Sequence, residues 1–383
     1  MKALLFERKV ARYAAAAVAG RVLPGKGAAV GPLRLADVDP PALPGPDWVR
    51  VRPRLSGICG SDLATIDGHS SRYFEPIVSF PFTPGHEVVG DTEDGRRVVL
   101  VPILTCAPRG IDPICHMCAH GRHNLCERTA FGHIEPGLQT GFCESTGGGW
   151  GIELIAHESQ LVEVPDTLTD EEAVLVEPTA CAVHAARRAV DGEVAVIGSG
   201  TLGLLTIAAI RHIDELRGPL IATARYPHQK QLARALGADF VCDPGALSRH
   251  VRSATGSWLI GDRLTCGADH VVDCVGSADT LQQALDVCAP GGTVHAVGMP
   301  GVTSLDLTGL WHREISLHGC YAYTHADFVD AIELVRTAKL GRLLSAVYPL
   351  ARFEEAIEHA ANAGTRGAVK VAFDLRAEKE RNR

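Results

Sequence analysis

The sequence predicts an α/β protein of two domains, a β-rich unit followed by a doubly wound parallel sheet. Three observations carry this prediction. The chain has 383 residues, more than one ordinary core accommodates. Its first part consists of short β-branched runs broken by prolines, and from Glu193 strand and helix patterns alternate behind a glycine-rich turn. Composition excludes other classes: 46% hydrophobic and 21% charged residues are globular values, and a net charge of −8 gives no basic footprint for nucleic acid. The alanine-rich run 14–20 is too short for a signal segment, and the apolar run 194–210 is interrupted by Gly198, Gly200 and Gly203. A cytoplasmic protein without nucleic-acid or membrane partners is therefore expected.

In chain order, residues 2–6 read as a strand and 11–22 as a helix-forming stretch without clear amphipathic spacing. From Leu33, Pro40, Pro41, Pro44 and Pro46 punctuate the chain, 48–51 alternates and 97–101 is β-branched, which fits a Greek-key or barrel unit. Strands are expected at 194–197, 220–223, 240–242, 270–274 and 293–297, with helices at 204–211, 229–236 and 281–288. Helices at 326–338 and 353–361 and a strand at 368–373 close the chain, and the charged end 376–383 is expected to fray.

Chemistry-bearing residues fall into four groups. Cys59 lies in Gly57-Ile58-Cys59-Gly60-Ser61-Asp62, with a hydroxyl two residues on; alone, such a cysteine also fits core packing. Gly85-His86-Glu87 precedes an apolar pair, and His86 and Glu87 would point to opposite faces of a strand unless the chain bends at Gly85. Glu177 stands in an apolar, small-residue run at the junction of the two halves, where a buried carboxylate needs a cation, a metal or a proton. Cys106, Cys115, Cys118 and Cys126 supply four thiolates for a closed, structural zinc site, with Asp112 competing with Cys106 for the fourth place.

Gly198-Ser199-Gly200-Thr201-Leu202-Gly203 lies between a strand and a helix, the context in which G-x-G-x-x-G holds a dinucleotide pyrophosphate at a helix N-terminus. Where an acidic residue at the end of the second strand would hold a ribose 2′-hydroxyl, this chain has Ala224 and Arg225, with His228 and Lys230 nearby. That substitution favours NADP over NAD, although Arg225 also fits a solvated surface position.

Taken together, the Cys59 stretch, Gly85-His86-Glu87, Val176-Glu177-Pro178 and the loop 198–203 occur in the order and approximate spacing of one family. The chain resembles the zinc-dependent medium-chain dehydrogenases, and within them the sorbitol, threonine and glucose dehydrogenase branch, over about residues 33–373. The resemblance implies a GroES-like catalytic domain (1–177 and 323–383) and a Rossmann NAD(P)-binding domain (178–322). It implies catalytic zinc on Cys59, His86 and Glu177, with Glu87 at or beside the metal and Ser61 in a proton relay. It also implies hydride transfer between an alcohol and NAD(P), and a homodimer or homotetramer. Two departures stand out: the spacing between Cys106 and Cys115 is longer than the family's, and the relay histidine of some alcohol dehydrogenases is Ala64 here. A zinc-free enone or quinone reductase and a non-catalytic nucleotide-binding protein are the competing expectations.

Overall fold

The computed structural model describes residues 1–189, 192–212, 218–299 and 301–376. They form two compact units, one of Met1–Glu177 with the chain from Lys339 onward, the other of Pro178–Ala338. Among the described residues no helix is long and apolar enough to cross a membrane. Residues 377–383, most of the end expected to fray, lie outside the described residues.

The first unit is built on one long strand, Trp48–Gly57, which pairs antiparallel with Val88–Thr92, Leu154–His157 and Lys370–Asp374. Val88–Thr92 leads through Arg97–Leu100 to Leu161–Glu163, and at the other end Leu344–Tyr348 pairs parallel with Lys370–Asp374. Pro53 cannot donate to a ladder, and the register shifts between Pro53 and Leu55. Leu4, Phe6, Ile58, Ile66, Phe82, Trp150 and Phe373 form a buried core beneath the end of this strand.

A separate hairpin pairs Lys2–Phe6 with Leu33–Asp37, Phe6 facing Leu33. The residues between these two strands carry the helices Val10–Val22 and Gly27–Val30, so the alanine-rich stretch is helical. Farther along, Arg109 is fully buried and donates to the carbonyls of Leu104, Phe131, Ile134, Glu135 and Gly137 at 2.6–3.4 Å.

The second unit is an all-parallel sheet in the order Phe240–Cys242, Leu220–Thr223, Val194–Ile197, Ala268–Asp273, Cys288–Ala296, Ser316–Gly319. Numbered along the chain this is 3-2-1-4-5-6, the order of dinucleotide-binding sheets. Val194–Ile197 is central and buried throughout, which explains its unbroken apolar run. Sequence patterning missed Ser316–Gly319, an exposed edge strand with little apolar alternation. The helix His325–Thr337 also belongs to this unit, although the sequence reading began the return to the first domain at 323. Its Asp327 is buried against His184 (2.7 Å) and Arg187 (2.7 Å) of the same unit.

Candidate catalytic site and nucleotide loop

The strand Trp48–Gly57 delivers Cys59 to the start of the helix Gly60–Ile66. Cys59 is extended at the N-cap, and the Asp62 carboxylate reaches back to accept its backbone N–H at 2.9 Å. This capping box makes Cys-Gly-Ser-Asp a helix-start signal, and it buries Asp62 beside the thiol.

His86 and Glu87 reach the same place by a bend. Gly85 has φ of +96°, and residues 83–87 form no strand, so alternation begins only at Val88. A side chain at Gly85 would collide with Trp150. Released from strand geometry, both His86 and Glu87 are buried, and their ligand atoms lie with the Cys59 sulfur within 4.8 Å of one another.

Two residues overlooked in the sequence complete this group. Asp62 Oδ1 lies 3.5 Å from His86 Nδ1. Burial opposes a charge on His86, but the Asp62 carboxylate, followed by Cys59, outweighs it and holds the imidazole pKa well above its ordinary value. Lys370 is buried, forms an ion pair with Glu87 and donates to the carbonyl of Ile58 at 3.0 Å. The capping pattern could have revealed Asp62. Nothing local could have revealed Lys370, which is 312 residues from Ile58 in sequence and arrives through the pairing of its strand with Trp48–Gly57.

Thiol, imidazole and carboxylate form the donor set of an open zinc site. His86 Nδ1 and Asp62 Oδ1 are buried without a hydrogen bond of good geometry, which suits a histidine whose other nitrogen is given to a metal and whose Nδ1–H then turns to the carboxylate. Glu177 opens the helix Val176–Ala186 and is buried, but it is not in the Cys59, His86, Glu87 group; its charge acts on Lys370. Ser61 is half-buried in the first turn of Gly60–Ile66, and its carbonyl accepts from Thr65 Oγ1 at 2.9 Å.

Cys106, Cys115, Cys118 and Cys126 also converge, all within 4.8 Å, with Cys126 Sγ 3.7 Å from Cys106 and 3.9 Å from Cys115. Burial opposes a thiolate at Cys115, yet backbone hydrogen bonds from Cys118 and Glu127 bring its pKa down to about 7. Burial pushes Cys118 up, and Cys126 to about 11. Asp112 is exposed and outside the cluster, so the longer first spacing loops out and still returns the chain to Cys115.

In the second unit Gly198 follows Val194–Ile197 with φ of +90°, and Thr201, Leu202 and Gly203 form the first turn of the helix Thr201–His212. Gly198 N–H donates to Thr223 Oγ1 at 2.9 Å, and Ser199 Oγ donates to the Thr223 carbonyl at 2.7 Å. Any side chain at Gly203 would strike the Gly198 carbonyl, and Gly200 is exposed. Arg225 is exposed just beyond Leu220–Thr223, whereas the Lys230 charge is met by Asp243 at 2.8 Å.

Comparison with known proteins agrees with this geometry. The family description "Alcohol dehydrogenase GroES-like domain" fits residues 45–166, and "Zinc-binding dehydrogenase" fits residues 201–337. The chain belongs to the zinc-type medium-chain dehydrogenases. Among its relatives in this family, L-idonate 5-dehydrogenase of Vitis vinifera is 29% identical over 90% of this chain and 93% of that one. Sorbitol dehydrogenase of Arabidopsis thaliana is 28% identical over 86% and 89%. A zinc-binding dehydrogenase structure from Sinorhizobium meliloti, bound to NADP, superposes with a TM-score of 0.69 at 25% identity, covering 89% of this chain and 95% of that one. This medium-chain dehydrogenase is accordingly an NAD(P)-dependent alcohol oxidoreductase with a GroES-like and a Rossmann-like domain.

Proposed function

We propose that this dehydrogenase reversibly oxidises a polyol, sugar or secondary alcohol to the ketone or aldehyde, with NADP preferred over NAD. The convergence of Cys59, His86 and Glu87 carries the reading. These three residues would hold the catalytic zinc, with Glu177 as a further carboxylate near Lys370. When bound, zinc supplies the Lewis acidity that lowers the pKa of an alcohol, and the nucleotide supplies the hydride acceptor. Asp62 orients His86, Lys370 balances the charge of Glu87, and Ser61, two residues after Cys59 in the first turn of the helix, accepts the alcohol proton and passes it outward.

In the second unit, Gly198, Gly200, Thr201, Leu202 and Gly203 would receive the pyrophosphate at the start of Thr201–His212. Arg225 would take the 2′-phosphate, because it stands where an acidic residue at the end of the second strand would repel one, and the nearby Lys230 is already paired with Asp243. The four cysteines 106, 115, 118 and 126 would hold a second, structural zinc. The exposed edge strand Ser316–Gly319 supports assembly as a homodimer or homotetramer. The cytoplasm suits a chain of twelve cysteines in which four gather as thiolate ligands for a metal. Small alcohols or carbonyl compounds would be its partners, with no role for nucleic acid or membrane.

The test is a panel of polyols, sugars and amino alcohols assayed in both directions with each nucleotide. Turnover with NADP is expected, lost in Cys59→Ala and after chelation, with nucleotide binding retained in both. Full activity of Cys59→Ala would overturn the reading.

A further inference from the structure

Residues 7–32 leave and re-enter the fold at neighbouring points, because Phe6 pairs directly with Leu33. The hairpin therefore does not need this segment. Its inner side faces the chain that runs from Cys59 to His86, and it grips that chain at three places.

At the first place Asp67, the residue just past the helix Gly60–Ile66, is buried and accepts the N–H groups of Gly25 and Gly27 at 2.8 and 2.9 Å. A buried carboxylate bonded by two amides is a charge-assisted anchor. At the second place Ala17 of the segment lies against Gly68, and Tyr13 lies within electrostatic reach of Ser70, whose hydroxyl is 2.8 Å from Thr65 Oγ1 on the metal-site helix. At the third, Arg8 pairs with Glu75 at 3.1 Å, inside the 3₁₀ turn Arg72–Ile77. From behind, Asn362 Nδ2 donates to the Pro24 carbonyl at 3.0 Å, fixing the segment to the end of the helix Phe353–Ala361. Ala28 shares the core that contains Ile58, Ile66 and Phe82.

We propose that residues 7–32 are a specificity-determining clamp on residues 67–77, the chain between Cys59 and His86, and so set which alcohols this dehydrogenase accepts. The proposal rests on the function proposed above. The helix Gly60–Ile66 is tied at its start by Asp62, beside the ligand group, and at its end by Asp67, to the clamp. A shift of 67–77 pulls on the end of the helix that follows Cys59 and carries Ser61, and misplacement on the scale of an ångström is enough to change turnover of one alcohol against another. Asp67, Tyr13 and Arg8 are positioning residues, not catalytic ones.

The register of the hairpin supplies the experiment. Replacing residues 7–32 by an Asn-Gly turn joins Phe6 to Leu33 in the existing pairing. The full chain and the shortened chain are compared on polyols of increasing carbon number, with zinc content, NADP affinity and hydrogen exchange at 67–77 measured alongside. Expected are unchanged zinc content and NADP affinity, faster exchange at 67–77, and a change of about tenfold or more in the ratio of kcat/KM between short and long polyols. An unaltered ratio would overturn the clamp while leaving the dehydrogenase reading in place. Absence of turnover by the full chain would overturn that reading and the clamp with it. If the shortened chain does not fold, the double variant Arg8→Ala, Tyr13→Phe decides the matter: a shifted ratio supports the clamp, and a ratio and exchange pattern equal to the full chain's overturn it.

Discussion

Glu87 and Lys370 form an ion pair that leaves almost nothing of either side chain to solvent. Both also fasten the backbone that leads to Cys59: the Glu87 carbonyl accepts Gly57 N–H at 2.8 Å, and Lys370 donates to the Ile58 carbonyl. Removing one partner strands the other charge, a loss of about 3–5 kcal/mol. Lys370→Met should lower unfolding stability by that order in urea, and Lys370→Met with Glu87→Gln should recover part of it, both with metal stripped. Equal losses in the single and double variants would show that the pair is not what stabilises this region.

Asp62 serves the helix start and His86 together. Asp62→Ala should cost about 1 kcal/mol through the cap and weaken zinc binding about 10- to 100-fold through the loosened imidazole. Competition with a chromophoric chelator measures the second effect. Asp62→Asn, which keeps an acceptor for the Cys59 N–H, should preserve most of the stability but not the affinity.

For Arg225, the expected change is confined to one nucleotide. Losing a charge-assisted contact worth about 1.5–3 kcal/mol, Arg225→Ser should reduce kcat/KM for NADP by about ten- to a hundred-fold and leave NAD unaffected. An enzyme that prefers NAD before the substitution would refute the argument.

The second unit carries a pH dependence of its own. Burial raises the Asp327 pKa, but hydrogen bonds from His184 and Thr324 outweigh it and bring the carboxyl down from 3.8 to about 2. A carboxyl held below its unfolded value stabilises the fold above about pH 4, and that contribution is lost as pH falls toward 2. Asp327→Asn should therefore be less stable than the parent at neutral pH, with the difference shrinking between pH 4 and 2 in acid-unfolding curves. A constant gap across that interval would remove Asp327 from the acid response.

Much of this was legible in the sequence because it is local. Residues 194–197, 220–223 and 240–242 are strands at the expected positions; the first two are buried throughout and read as short apolar runs between turns, and the third is the apolar edge strand of the same sheet. The glycine loop, the four clustered cysteines and the Gly85 bend are likewise written in adjacent residues. What escaped is long-range. The sheet, not the local sequence, brings Lys370 to Ile58. Residues 11–22 showed no amphipathic stripe because the helix Val10–Val22 buries only Ala16 and Gly20, leaving Val10, Val18 and Val22 exposed.

The guanidinium of Arg109 gives the cysteine lobe a fastening that owes nothing to metal. By bonding the carbonyls of Leu104 and of four residues between Phe131 and Gly137, it closes the stretch of chain that contains all four cysteines. Loop closure of this kind removes most of the configurational freedom the thiols would otherwise have to surrender on meeting an ion. Capture of zinc there becomes a search over side-chain rotamers, and folding of the lobe can precede its metallation.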